Sequence, residues 1–347
     1  MLRWFEKAET SAGNVVYSRV RLARNWEAYQ FPQKLSDPDS RELISRLETG
    51  LKDLQEDDGL PYEYAYLEDL KELDRLALRE RRILNSGTVA KKSPTGIIIS
   101  EDESTSFILN GDDHIRIQVL APGFHLDELW QRADKLDDYV NTRFSYAFDE
   151  KYGYLTSYPT NVGTGLRASV VLHLPTLSMG KKFQNLLAEM SRFGVSIRGV
   201  YGEGSDNYGA LYEIANQKTL GQNEKEIIEL VTKIARQLDG QEKKVRKLAL
   251  ENHRLEREDE AYKSYGVLKY ARRLAKKDAM IFLSQLMAGI TDGLIHGEEP
   301  CSVYRLMLGI QNANLQKLSH KPLSQEELDV ARAAYLRTEL PKLAEQE

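Results

Sequence analysis

Five short runs rich in Val, Ile, Leu or Phe, at 15–20, 105–109, 115–120, 169–174 and 195–201, lie at uneven intervals along the first 222 residues of this 347-residue chain. Each has the length and composition of a β-strand. Between them, apolar residues recur at helical spacing over 40–54, 125–144 and 180–193. Strands and helices do not alternate as a fixed unit, and neither G-x-G-x-x-G nor G-x-x-x-x-G-K-[ST] occurs. That disfavours a doubly wound nucleotide-binding fold or a P-loop. It predicts an α+β fold: a mixed, largely antiparallel sheet flanked by helices.

From about Asn223 the character changes. Ile227, Val231, Ile234 and Leu238 follow helical spacing, Gly240 is expected to interrupt it, and Val245, Leu248 and Leu255 resume it among Lys, Arg and Glu. Ser324 and Glu327 form a capping box before another helical stretch. The expected division is residues 1–222 as one domain and residues 223–347 as an all-helical second one. The thin apolar faces of the second domain suggest packing against a further surface, such as a second copy.

Composition removes several classes. With 41% hydrophobic residues and only 10 Pro, the chain is an ordinary folded one rather than a disordered or collagen-like one. Against 53 Asp and Glu stand 48 Lys and Arg, and the net charge of −5 argues against direct nucleic-acid binding. The single cysteine, Cys301, and six scattered histidines disfavour a disulfide scaffold or a local zinc motif. There is no leader-like apolar segment at the start and no membrane-length apolar run, so the expected location is cytoplasmic, with no membrane partner.

Four segments could carry chemistry. In Ser18-Arg19-Val20-Arg21, strand geometry would set two guanidinium groups side by side, which is costly unless an anion bridges them. Taken alone, a solvated basic strand fits as well. Asn110-Gly111-Asp112-Asp113-His114-Ile115-Arg116 places two carboxylates between apolar runs, as a proton acceptor or as a plain acidic turn. The Gly-rich loop from Pro159 to Arg167 could turn backbone amides toward phosphate oxygens, or simply turn. In Arg198-Gly199-Val200-Tyr201-Gly202-Glu203-Gly204, a carboxylate between two glycines sits where a closing loop would need it. Together these give five arginines on short elements plus isolated carboxylates, a set of parts for phosphoryl transfer by charge clamping.

The runs SRVRLARN, NGDDHIR, YPTNVGTGLRAS and RGVYGEGSDNYGALYEIANQKTLG, in that order, resemble the ATP:guanidino phosphotransferase family. The likeness spans nearly the whole chain and includes YKSYGVLKYAR near residue 262. The domain order is similar to that of the protein-directed branch, whose members phosphorylate arginine side chains and dimerise through C-terminal helices. The resemblance implies ATP with Mg2+ and no direct protein ligand to the metal. It implies Arg19, Arg21, Arg116, Arg167 and Arg198 on the nucleotide phosphates, and Ser18, Ser169 and Gly202 near them. Asp112 would be the base and Glu203 the carboxylate gripping the acceptor guanidinium, with Tyr158 and Asn161 next to the substrate. Protein substrates with accessible arginines, a homodimer, a zinc-binding activator protein and a Clp unfoldase are the implied partners, in a stress response.

Departures accompany the match. The family's Asn-Glu-Glu-Asp-His reads Asn110-Gly111-Asp112-Asp113-His114, so the expected base is one methylene shorter. Tyr158 stands where the family has a reactive cysteine, and Arg82 where it has a histidine near the nucleotide. The phosphoarginine-binding motif RDxxRA begins with Leu328, leaving Asp329 and Arg332. These changes keep a second reading open, a catalytically impaired pseudokinase acting as a nucleotide- or phosphoarginine-binding adaptor. A kinase for a free guanidino metabolite is a third.

Overall fold

The computed structural model describes residues 1–7, 13–201 and 207–344. In chain order the strands are β1 (Val15–Arg24), β2 (Tyr62–Tyr66), β3 (Gly96–Ser100), β4 (Thr105–Leu109), β5 (Ile115–Pro122), β6 (Phe148–Asp149), β7 (Gly153–Tyr154), β8 (Leu166–His173), β9 (Val195–Gly199) and β10 (Leu211–Asn216). The helices are α1 (Asp37–Gly50), α2 (Leu54–Asp58), α3 (Glu72–Glu80), α4 (Ser86–Ala90), α5 (Leu126–Asn141), α6 (Pro175–Ser178), α7 (Phe183–Ser191), α8 (Glu224–Tyr270), α9 (Lys276–Thr291), α10 (Val303–Gly309), α11 (Asn312–Lys317) and α12 (Gln325–Glu339). Eight strands form one sheet in the order β2-β3-β4-β5-β1-β8-β10-β9, and β6 pairs with β7. The pairs β1·β5, β2·β3, β3·β4 and β4·β5 are antiparallel, as the irregular strand spacing predicts.

The chain forms two compact units, and neither is continuous in sequence. The first comprises residues 1–4, 17–170 and 215–232; the second comprises 5–16, 171–214 and 233–347.

The period-two pattern of β1 sorts the first unit's part of the sheet into two chemistries. Val20 and Leu22 lie opposite Val119 and Ile117 of β5, which in turn face Thr105 and Phe107 of β4. All six are fully buried. Helix α5 covers this face, held by Arg24 of β1, whose guanidinium reaches Asp137 of α5 at 2.7 Å and lies 3.6 Å over the Tyr154 ring. Desolvation, the largest single effect, lowers the Arg24 pKa, but Asp137, Tyr146 and Tyr154 together outweigh it and the net shift is upward. The third arginine of the β1 motif is therefore a core clasp rather than a site residue. Arg19, Arg21 and Ala23 point to the other face, where Leu120, Gln118 and Arg116 lie opposite them.

In the second unit, α8 runs unbroken through Gly240, and its one non-helical residue is His253 (φ −139°, ψ 37°). The expected interruption at Gly240 does not occur: a helical glycine costs only about 1 kcal/mol, and Ile234, Ala235, Leu238 and Glu242 around it are all buried. Leu248 and Leu255, read as part of the packed face, are 57% and 77% exposed. The capping box forms as expected, with the Ser324 side chain on the Glu327 amide and the Glu327 carboxylate on the Ser324 amide.

Candidate active site

Four of the arginines singled out in the sequence share one face of three adjacent strands. Arg19 and Arg21 are two residues apart on β1, and Arg116 of β5 pairs with Ala23 two residues further on. Arg19 Nε donates to Ser169 Oγ of β8 at 3.3 Å, which puts Arg167, two residues from Ser169, on that face too. Arg167 Nη1 donates to the Asn216 carbonyl at 2.9 Å. Burial first of all, with Arg19 adding to it, pushes the Arg116 pKa down to about 10, although Asp112 and Asp113 pull the other way. Arg116 Nη2 donates to the Ile83 carbonyl at 2.8 Å, while its Nε is buried without a hydrogen-bond partner among the described residues. Like charges desolvated together in this way favour an anion between them.

Arg82 joins this cluster through its backbone. It adopts φ +73°, a left-handed conformation normally left to glycine, directly after the last turn of α3. Its carbonyl accepts from Gln118 Nε2 at 3.0 Å. Gln118, 1% exposed and opposite Arg21, is a neutral member of the arginine face missed in the sequence reading. The alternation Arg116-Ile117-Gln118 already marks it.

Ser18 is corrected: it points to the opposite face, fully buried, and its hydroxyl donates to the Gly123 carbonyl at 2.7 Å and accepts from the His125 amide. The Gly-rich loop is corrected as well. The amides of Asn161, Gly163 and Thr164 are bonded to the carbonyls of Tyr158, Tyr154 and Thr219, so they do not form a phosphate cradle. At Gly165 (φ +63°) a Cβ would lie 2.6 Å from the Ala23 carbonyl oxygen, so this glycine serves close backbone packing.

The hairpin 110–114 joins β4 to β5 and separates its two carboxylates. Asp113 is 3% exposed; its Oδ1 accepts from Asn25 Nδ2 at 2.8 Å and from the Ser157 amide at 2.6 Å, and burial raises its pKa. His114 Nδ1 accepts from the Trp26 amide at 3.0 Å and Nε2 lies 2.8 Å from the Gln30 carbonyl, so the ring is a neutral Nε2–H tautomer. Burial pulls its pKa down to about 4. Neither is available for proton transfer. Asp112 is only half-buried, with Oδ2 accepting from Asn85 Nδ2 at 3.2 Å. Lys91 Nζ donates to the carbonyls of Asn110 and Gly111 next to it. A Cβ on Gly111 would stand 2.9 Å from Ile108 Cγ2, which accounts for the glycine where a glutamate is expected.

The Ser157 contact ties the following loop to Asp113. In that loop the Tyr158 carbonyl accepts from Thr156 Oγ1 and the Asn161 amide, and Tyr158 itself is 50% exposed. Arg198, on β9 in the second unit, is exposed. Gly202 and Glu203 lie outside the described residues. In the second unit Arg332 is 0% exposed and Asp329 6%. Arg332 donates to the carbonyls of Ile310 and Leu274, to Asp329 at 2.6 Å and to Asn312, so Arg332 and Asp329 are bound into the core rather than presented to a ligand.

A sheet face of clustered guanidinium groups beside a half-buried carboxylate on a braced hairpin has the chemistry of an anion site without a P-loop. Residues 42–245 match the ATP:guanido phosphotransferase C-terminal catalytic domain, and residues 254–347 match the Protein-arginine kinase McsB C-terminal domain. The chain belongs to the ATP:guanido phosphotransferase family. A protein-arginine kinase of Halalkalibacterium halodurans is 38% identical to it over 97% of this chain and 94% of that protein. One from Bacillus subtilis is 37% identical over 97% and 93%. Among solved structures, the duplicated taurocyamine kinase from Schistosoma mansoni with bound transition state analog components superposes with a TM-score of 0.58 at 27% identity. That match covers 66% of this chain and 32% of the duplicated one. A lombricine kinase shares the fold, with a TM-score of 0.57 at 22% identity over 71% of this chain and 72% of its own.

Proposed function

We propose that the chain transfers the γ-phosphoryl group of ATP to arginine side chains of proteins. The observation that carries this reading is the arginine face itself: Arg19, Arg21, Arg116 and Arg167 on one side of β5-β1-β8, with Asp112 on the hairpin that enters β5. The full-length similarity to protein-arginine kinases supports a protein substrate.

In this reading the four arginines, with Arg82 at their margin and Arg198 from β9, hold the phosphates. Charge on the transferring group is then met by fixed guanidinium groups instead of reorganising water. Among the described residues no group of three or more His, Cys, Asp or Glu is placed to hold a metal ion. Mg2+ would be bound through the nucleotide's phosphate oxygens, where it would supply additional charge neutralisation. An arginine acceptor has a pKa above about 12 and a delocalised charge. Asp112 orients it and takes its proton as the nitrogen–phosphorus bond forms and the bond from phosphorus to the ADP oxygen breaks. Glu203 grips the same guanidinium, and Tyr158 and Asn161 flank it. The reading extends to a dimer through residues 223–347, to activation by a zinc-binding protein, and to delivery of the marked substrate to a Clp unfoldase.

The test is incubation with Mg-ATP and an arginine-rich protein, followed by mass spectrometry at neutral and acid pH. Acid-labile phosphate on arginine side chains is the expected product. Label on free arginine or creatine alone would replace this reading with a metabolite kinase, and ATP binding without any product would replace it with an adaptor.

Among the described residues no helix is long and apolar enough to cross a membrane.

A further inference from the structure

Lys91 belongs to no motif read in the sequence, yet it lies against the hairpin that carries the proposed base. It follows α4, half-buried, and its ammonium group donates to two consecutive carbonyls, Asn110 and Gly111, the second at 2.7 Å. The next carbonyl, that of Asp112, accepts from Gln33 Nε2 at 2.9 Å. Asn110 is held further by its own Nδ2 on the Pro94 carbonyl at 2.7 Å and by Thr95 Oγ1 on its carbonyl at 3.2 Å. Asn110 adopts φ +55°, a left-handed conformation that asparagine tolerates better than most residues with a side chain. Three successive peptide carbonyls leading to the carboxylate are thus each fixed by a side-chain donor, and one ammonium group fixes two of them.

The charge also matters. Asp112 and Lys91 act on each other electrostatically, and burial, the larger effect, pulls the Lys91 pKa down to about 8. The other charged or titratable groups around this pair are Asp113, His114 and Arg116. His114 stays neutral down to about pH 4 and Arg116 stays charged up to about pH 10, so between those limits they hold constant charge. Asp113 is bonded into the core and is the same in every variant below.

We infer that Lys91 is a positioning residue for the phosphoryl-transfer step, fixing the backbone that aims Asp112. Two carbonyls that would otherwise compete for water are engaged by a cation, which makes this stronger than neutral hydrogen bonding. The shorter Asp112 makes such aiming consequential, because a displacement of about 1 Å can cost about 100-fold in rate. The inference rests on the assignment of Asp112 as the base.

The experiment compares Lys91→Met, Lys91→Gln and Lys91→Arg with wild type. Steady-state turnover and KM for ATP are measured across pH 5 to 10, and hydrogen exchange is followed in peptides covering residues 108–116. The Met variant is expected to lose about 100-fold in kcat with KM for ATP within about threefold and faster exchange in the hairpin, and Lys91→Arg to recover most of it. Lys91→Arg should also move the alkaline limb of kcat upward, since a guanidinium keeps its charge beyond the lysine's pKa. The Gln variant keeps a donor for the carbonyls without the charge, so it remains informative if the Met variant folds poorly. Unchanged exchange in the hairpin together with kcat within twofold in both neutral variants would overturn the role of Lys91. If wild type forms no phosphoarginine, the functional reading fails instead, and hydrogen exchange still decides whether Lys91 fixes the hairpin.

Discussion

Arg332→Ala tests whether the remnant of the phosphoarginine motif is a ligand or a fastener. The Arg332 guanidinium is buried and distributes its donors over the Ile310 and Leu274 carbonyls, the Asp329 carboxylate and the Asn312 amide oxygen. Removing it leaves the buried Asp329 carboxylate with only the more distant Arg273, at 3.9 Å, and Gln325, a loss of up to about 3 to 5 kcal/mol. Two carbonyls also lose their donors, at about 1 to 3 kcal/mol each if water cannot reach them. These terms overlap, and about 4 kcal/mol is a fair working figure for local opening of α12. At about 1.4 kcal/mol per tenfold, hydrogen exchange in peptides covering α12 should accelerate by about a thousandfold. Deuterium uptake read by mass spectrometry at neutral pH measures it directly. The paired change Asp329→Leu with Arg332→Met should restore most of the protection, since an apolar replacement of a buried ion pair is often close to neutral. Acceleration of less than tenfold in Arg332→Ala would refute the fastener role. Unchanged protection with lost phosphoarginine binding would show a ligand.

Other outcomes follow from the site. Arg167→Ala should lower turnover by about 10³ to 10⁵, and activity within a few-fold of wild type would remove Arg167 from the phosphate site. Asp112→Asn should abolish phosphoarginine formation while isothermal titration shows ATP affinity within a few-fold, because the amide keeps the shape and loses the proton acceptor; full activity would eliminate Asp112 as base. His114 and His173 are held by burial at pKa values of about 4 and about 3. The unfolded chain takes up these protons first, near pH 6.5, so stability should fall from there toward pH 4 at about 1.4 kcal/mol per pH unit for each histidine. Urea midpoints at pH 7 and pH 5 measure the slope, and His173→Gln should flatten it; an identical slope in that variant would contradict the assignment.

Strand β4 was legible to the residue because its five apolar and hydroxyl side chains are all buried. Strand β1 was legible only as far as Val20, although pairing with β5 continues to Arg24, because a run of three arginines at alternate or nearby positions reads as an ending. Strand β2 escaped notice: it sits at the edge of the sheet, partly exposed, with the exposed Glu63 as its second residue. The break in α8 falls at His253, in a stretch without proline or glycine, and no local signal marks it. Within the site, the four arginines and Ser169 were legible through strand alternation and family likeness. Lys91 was not, since its contacts with 110 and 111 arise from folding a short helix against a hairpin about twenty residues away.

Asp112 and Asp113 are sequence neighbours with opposite freedoms. One oxygen of Asp113 holds the end of β1 through Asn25 and the loop before Tyr158 through Ser157, so a change at 113 disturbs three segments at once. Asp112 bears none of those attachments; its carboxylate is held by Asn85 alone among the hydrogen bonds described. The side chain at 112 can therefore change in length without loosening the three segments that Asp113 holds together. Under the proposed assignment of Asp112 as base, directed variation at 112, with 113 kept constant, is where new acceptor preferences should be sought.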